Sequence, residues 1–322
     1  MSDSDVKEGY GNWFQWQILL CALILIFCVI KCLMHIIKAK AEEPLSYNHL
    51  WIPCWRYLNP LWLLLYRVFA FLSLTHIHFD IIALDGAFSF YFYTQWTLTL
   101  VTIYFALGTI LSAYGCWKFL NKPHLQNGER AEFLGRGVEE GMSTNSIVYK
   151  VKETKGSIKL QSVYAEEEFK LGAGFWGHLM QIIYQTCAGA VVLTDIMFWC
   201  VIVPFLSDPD FKLNMLITSM HTLNAGFLIL DTTLNNLPFP WFRLAHFVLW
   251  SSGYIIFQWV LHACGFKWWP YPFLGLDTPL APIWYTGLVL IHIPCYGMYS
   301  LTVKAKNSFF SRLLPHAFLR SY

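Results

Sequence analysis

Two side chains in this sequence have the chemistry of an acyl-transfer site: Thr94, in the run FYTQW, and His221, in the run MHT. A threonine hydroxyl is a weak nucleophile until a neighbouring base takes its proton, and an imidazole is the commonest base near neutral pH. Around His221 the residues His221, Asn224, Leu228, Asp231 and Asn235 step by three and four, which draws one stripe along a helix. His178, Gln181, Gln185, Ala188, Val192 and Asp195 repeat that stepping in another apolar stretch. Asp195 would orient the imidazole if the two helices pack together. Asn224, one turn from His221, and Gln95, beside Thr94, are placed by adjacency to polarise a carbonyl. The bland assignment competes: a membrane Thr commonly bonds its own helix carbonyl four residues back, and a membrane His commonly ties two helices together. A second constellation, HIHFD, brings His76, His78 and Asp80 close in sequence. Histidines two apart point to different sides of a helix, so chelation would need an unwound backbone. The segment therefore reads as a helix end at the outer headgroups, with no metal and no cofactor expected.

These residues must be positioned by elements that live in lipid. The 322 residues are 56% hydrophobic and 18% aromatic, and only 13% are charged, against about 25% in soluble domains. The mean hydropathy of +0.45 is spread over several apolar runs, so the chain reads as an all-α polytopic membrane protein. The first run, Trp13 to Ile30, is followed by Lys31, Lys38 and Lys40 rather than by a small-residue cleavage site, which makes it a retained span. Further runs at 59–79, 88–116, 174–206, 213–235, 241–264 and 281–301 complete a predicted seven-helix bundle. The domain plan is a short outer N-terminus (1–12), spans one to three (13–116), a cytosolic loop (117–173), spans four to seven (174–301) and a cytosolic tail (302–322).

Basic residues choose the orientation. With the N-terminus outside and the C-terminus cytosolic, 19 of the 22 Lys and Arg fall on the inner side, Arg67 among them. Thr94 and His221 then lie roughly 9 and 12 Å below the outer surface at about 1.5 Å per residue, so the two can share one level. Asp195, His262 and HIHFD also belong to the outer half or its mouth, whereas His178, Asp231 and His246 belong to the inner half. The Trp268 to Phe273 run, WWPYPF, reads as an aromatic belt at the outer mouth. In the long loop, IVYKVKETKGSIKLQSVY alternates around Gly156 and suggests a small β-hairpin in a solvated appendage. The nine cysteines show no disulfide framework, and a net charge of +2 gives no reason to expect nucleic acid as a partner. The C-terminus carries neither a KDEL-like nor a peroxisomal signal.

The runs FYFYTQWTLTL, MHTLNAGFLILDTTLNN and WWPYPFLGLDTP resemble, in order and spacing, the family of androgen-induced gene 1 protein and the androgen-dependent regulator of tissue factor pathway inhibitor. They also resemble rolling-stone-like membrane proteins and plant relatives, and this chain looks closest to that latter group. The resemblance covers roughly spans two to seven. It implies a multi-pass intramembrane hydrolase that cleaves fatty acid esters of hydroxy fatty acids with a threonine and a histidine. The matching positions are Thr94 and His221. The chain departs from the family by its long cytosolic insertion and an added N-terminal span. The functional expectation is thus a lipid ester hydrolase acting on membrane lipids or lipid-like substrates. The competing expectations are a seven-helix receptor or signalling protein and a non-enzymatic transporter or structural membrane component. The inner end of span three, SAYGCWK, lacks the acidic-Arg pair of rhodopsin-like receptors.

Overall fold

The computed structural model describes residues 15–38, 45–121, 172–206 and 215–319. The expected β-hairpin and most of the basic and acidic residues of the long loop lie outside the described residues. Within them the chain is helical. The elements are α1 (Trp16–Lys38), α2 (Asn48–Trp51), α3 (Pro60–Asp85), α4 (Tyr93–Leu120), α5 (Gly174–Ile196), α6 (Met215–Leu234), α7 (Leu244–Ala263) and α8 (Ala281–Leu313). Short 3-10 turns precede α4, α7 and α8, and α5 runs on into a π-helical segment, Met197–Leu206. Six helices among the described residues are long and apolar enough to cross a bilayer, so this is an integral multi-pass membrane protein.

The helix expected at 213–235 is present as α6, with 20 residues, but it is not among those six. Its polar stripe is the reason. His221, Asn224, Asp231, Thr232 and Asn235 are all buried within the protein, so these polar side chains of α6 and its end are turned away from lipid.

Local chemistry sets the helix ends. The Asn59 side chain accepts from the Leu61 amide at 3.0 Å and Pro60 opens α3, a capped start with a pre-set φ. Gly86, at φ 61°, stops α3 and releases the chain into a 3-10 turn, Gly86–Tyr91. Helix α4 therefore begins at Tyr93, later than the span predicted from 88. Pro204 cannot donate to the ladder, in keeping with the widened π-helical winding around it.

Helix α5 is the hub of the bundle. It packs against α4, α6, α7 and α8, while α1 lies outside against α7 and α8. The outer faces of α1, including Trp16, Leu23, Ile26 and Phe27, are exposed in the protein and form a lipid-facing surface. Small residues bring the inner helices close. A Cβ added at Gly189 would lie 2.4 Å from the Phe247 ring, and one at Gly115 would lie 2.3 Å from Trp51.

The polar residues at the C-terminal end of α6 are largely hydrogen-bonded, with Arg67 Nη2 the exception. Arg67 and Asp231 are fully buried and paired, Nε to Oδ1 at 2.9 Å. Arg67 also donates to the Leu50 carbonyl and to Ser112. Tyr104 (2.5 Å) and Asn235 (2.7 Å) both donate to Asp231 Oδ2. Lys306 donates to the carbonyls of Thr232 and Asn235, and the Cys54 amide and Trp55 indole donate to those of Leu234 and Thr233, so the C-terminal carbonyls of α6 are capped. Arg67, counted above as a cytosolic charge, is thus a core residue. A guanidinium buried in a span must face a carboxylate and carbonyls, since in lipid it would have neither.

Candidate active site

Thr94 lies in the first turn of α4, and that turn is held by α7 and by α4 itself. The Tyr91 carbonyl just before it accepts from Tyr254 at 2.9 Å and from Gln258 at 2.7 Å, both on α7. The Trp96 indole reaches back to the Phe90 carbonyl at 3.0 Å, and the Tyr93 hydroxyl shares a hydrogen bond with Ser251 at 2.7 Å. Position within the helix also sets what the Thr94 hydroxyl can do. Thr97, Thr99 and Thr102 each donate to the carbonyl four residues back. Thr94 does not, because four residues back is Phe90, outside the helix, with its carbonyl already engaged by Trp96.

Opposite this turn stands His221, 4% exposed on α6. Its ring stacks on Phe198 of the π-helical segment, with centroids 3.7 Å apart and planes 7° from parallel. Asp195, near the end of α5, brings Oδ1 to 3.8 Å from His221 Nδ1. That is an ion-pair distance but too long for a hydrogen bond, and neither atom has another partner.

Thr94 and His221 line one cavity of about 70 Å³, open on one side. Its walls come from α4, the end of α5 and its π-helical extension, α6, α7, α8 and the segment before α8. The lining is mainly apolar, with the polar groups gathered at Thr94, Thr194, His221, Ser251, Tyr271 and His292.

Other predicted residues fall differently. Gln95 and Asn224 are buried and carry unpartnered polar atoms, but neither is on the cavity wall. Of the α5 stripe, Gln181 and Gln185 are buried and donate to the Pro238 carbonyl, whereas His178 is exposed. His76 and His78 lie within α3, which runs on to Asp85, so HIHFD is regular helix. His76 pairs with Asp80 one turn on, at 2.9 Å on an exposed surface, and His78 packs against Phe90. Among the described residues no three His, Cys, Asp or Glu side chains converge as a metal site. All nine cysteines are free.

Tyr271 is the residue that sequence reasoning misassigned. As part of WWPYPF it was expected in an interface belt. Trp268 is indeed half exposed, but Tyr271 turns inward to the cavity and interacts with the Thr94 side chain and with the backbone of Tyr93 and Thr94. Burial pushes its phenol above the ordinary value, against the opposing pull of those contacts, so it is a proton donor at neutral pH. The oxygen of Tyr271 sits at the first-turn amides of Tyr93 and Thr94, and the Gln95 amide donates to the Phe92 carbonyl at 3.1 Å, so the start of α4 already seats an electronegative oxygen. Alternation of aromatics with prolines was the available signal, and it reports a rigid turn rather than which ring faces inward.

The chain matches no protein-family model, no curated protein and no solved structure.

Proposed function

We propose that this protein is an intramembrane hydrolase of lipid esters, with Thr94 as nucleophile and His221 as general acid-base. The observation that carries the reading is the shared cavity: a hydroxyl freed from its own helix and a buried imidazole line one mostly apolar chamber among membrane-crossing helices. In this reading α6 is the seventh span, its stripe turned inward, with the N-terminus outside and the C-terminus cytosolic. The site then opens toward the non-cytosolic half of the bilayer.

The chemistry follows from the placement. His221 Nδ1 faces Asp195, which leaves Nε2 as the ring nitrogen that exchanges the proton. Thr94 Oγ1 loses its proton to Nε2 and bonds to the ester carbonyl carbon, and the carbonyl oxygen takes the negative charge. The Tyr271 hydroxyl, seated at the start of α4, stabilises that oxygen. The intermediate collapses with cleavage of the ester C–O bond, and the imidazolium returns its proton to the departing alkoxide as an alcohol. Water, deprotonated by His221, then attacks the acyl-threonine and releases a carboxylic acid and the free hydroxyl. Asp195 positions the imidazole and stabilises its charged form. Gln95 and Asn224 lie off the wall and are given no step.

The likeness of the Thr94 and His221 contexts to androgen-induced gene 1-type hydrolases supports the same roles, with fatty acyl esters as the substrate class. The test is release of fatty acid from a branched fatty ester by purified protein. Thr94→Ala and His221→Ala should each lower turnover by at least about 10³-fold with thermal melting unchanged. Full activity in either variant removes the assigned roles. Binding of the ester without turnover in wild type would leave a lipid receptor or carrier.

A further inference from the structure

The cavity wall carries a second imidazole, to which the proposed reaction gives no step. His292, on α8 and 5% exposed, lines the same chamber as Thr94 and His221. Its Nδ1 lies 2.6 Å from the Leu288 carbonyl of its own helix, and a carbonyl only accepts, so Nδ1 carries a proton. In the neutral ring Nε2 then holds the lone pair. The ring packs against Phe247 of α7, with centroids 4.4 Å apart. Because Nδ1 turns to the α8 backbone, Nε2 lies on the ring edge directed off that helix. It is buried and has no hydrogen-bond partner.

The other polar groups of the wall are engaged. Thr194 donates to the Ala190 and Val191 carbonyls, and Tyr254 donates to that of Tyr91. Ser251 is paired with Tyr93, and Tyr271 meets Thr94. His292 Nε2 is thus an acceptor on the wall still lacking a donor. A buried acceptor left unpaired costs stability unless a water or a ligand donates to it. The chamber, at about 70 Å³, has room for water, which needs about 10–15 Å³ per molecule.

We propose that His292 holds the water that hydrolyses the acyl-threonine. The inference rests on the hydrolase reading and deepens its second half. The water donates one hydrogen to His292 Nε2, which fixes where its oxygen sits. Its other proton passes to His221 Nε2 as that oxygen bonds to the acyl carbon. The intermediate collapses with cleavage of the bond from that carbon to Thr94 Oγ1, which takes the proton back from His221. His292 itself neither gains nor loses a proton. Formation of the acyl-threonine uses no water, so loss of His292 slows only its breakdown.

A fatty ester with a chromogenic leaving alcohol separates the two halves: alcohol release reports acylation and acid release reports deacylation. His292→Phe keeps a ring against Phe247 and removes both nitrogens. In lipid nanodiscs it should give a burst of about one alcohol per protein, then acid release at least about tenfold slower than wild type. Mass spectrometry should find the acyl group on Thr94. Hydroxylamine, an amine nucleophile that needs no base to attack, should restore turnover by forming the hydroxamate. His292→Gln, which keeps an acceptor, should release acid faster than His292→Phe. Acid release at the wild-type rate in His292→Phe, or parallel loss of alcohol and acid with no acyl-Thr94, overturns the proposal. Should His292→Phe melt below wild type, a map of the Thr94→Ala protein sharp enough to show ordered water decides: a water about 2.7–3.2 Å from Nε2 supports the role and a dry Nε2 overturns it. A wild type that releases no acid fails the hydrolase reading and the water role with it. A wild type that turns over beside an unimpaired His292→Phe fails the water role alone.

Discussion

The two ends of α6 carry the same kind of residue and end in opposite conditions. Toward its C-terminus, Asp231 and Asn235 enter a network with Arg67, Tyr104, Lys306 and the Leu237 amide. Toward its N-terminus, His221 Nδ1, Asp195 Oδ1, Asn224 Oδ1 and both polar atoms of Gln95 are buried without hydrogen-bond partners, and of these residues His221 lines a cavity. A buried polar group left unpaired costs about 1–3 kcal/mol, so a fold retains several only where something else uses them. The network around Asp231 ties α6 to α3, α4 and α8, and the unpartnered groups near His221 are the ones the hydrolase reading proposes to use.

The comparison breaks if the two ends fail to separate stability from function. The largest effects are a contrasting pair. Asp231→Ala leaves the Arg67 guanidinium buried and unpaired and should lower stability by about 3–5 kcal/mol, seen as loss of folded protein in a thermal-shift assay. Thr94→Ala should leave melting in place and remove turnover. If Asp231→Ala melts like wild type, the inner network is not what secures α6.

A smaller effect sharpens the outer end. Tyr271→Phe removes one hydroxyl from the seat at the start of α4 and should reduce kcat about 10²-fold with little change in KM, measured on the same fatty ester. A change confined to KM would make Tyr271 a binding residue only. Smallest is Gly189→Ala, which forces the Phe247 ring away from the α5 backbone and should destabilise the bundle by about 1–3 kcal/mol, with kcat of the remaining folded protein unchanged.

Much of the architecture was legible because lipid imposes it: length, apolarity and the charge distribution mark where helices run. The α6 stripe was legible as well, since heptad-like spacing puts His221, Asn224, Leu228, Asp231 and Asn235 on one face, and all five are buried. Arg67 was misread for a physical reason. A charge eight residues inside α3 counts as a loop residue until its carboxylate partner, 164 positions away, is known. Likewise the depth of Thr94 was inferred from an apolar run that begins at 88, whereas the helix begins at Tyr93, because Gly86 and the 3-10 turn intervene.

From its sequence alone, this protein is a helical, multi-pass membrane protein with polar groups lined up on a helix that otherwise suits lipid. Local spacing and composition are enough for that, because each helix satisfies its own backbone. Which of those polar groups are closed off and which face an empty chamber depends on partners contributed by other helices. The Asp231 partners come from α3, α4 and the end of α6, while the Thr94 chamber needs α4 through α8 together. Only the packing of those helices decided it, since the free energy of a buried polar atom is set by what lies within hydrogen-bond reach and not by its neighbours in the chain.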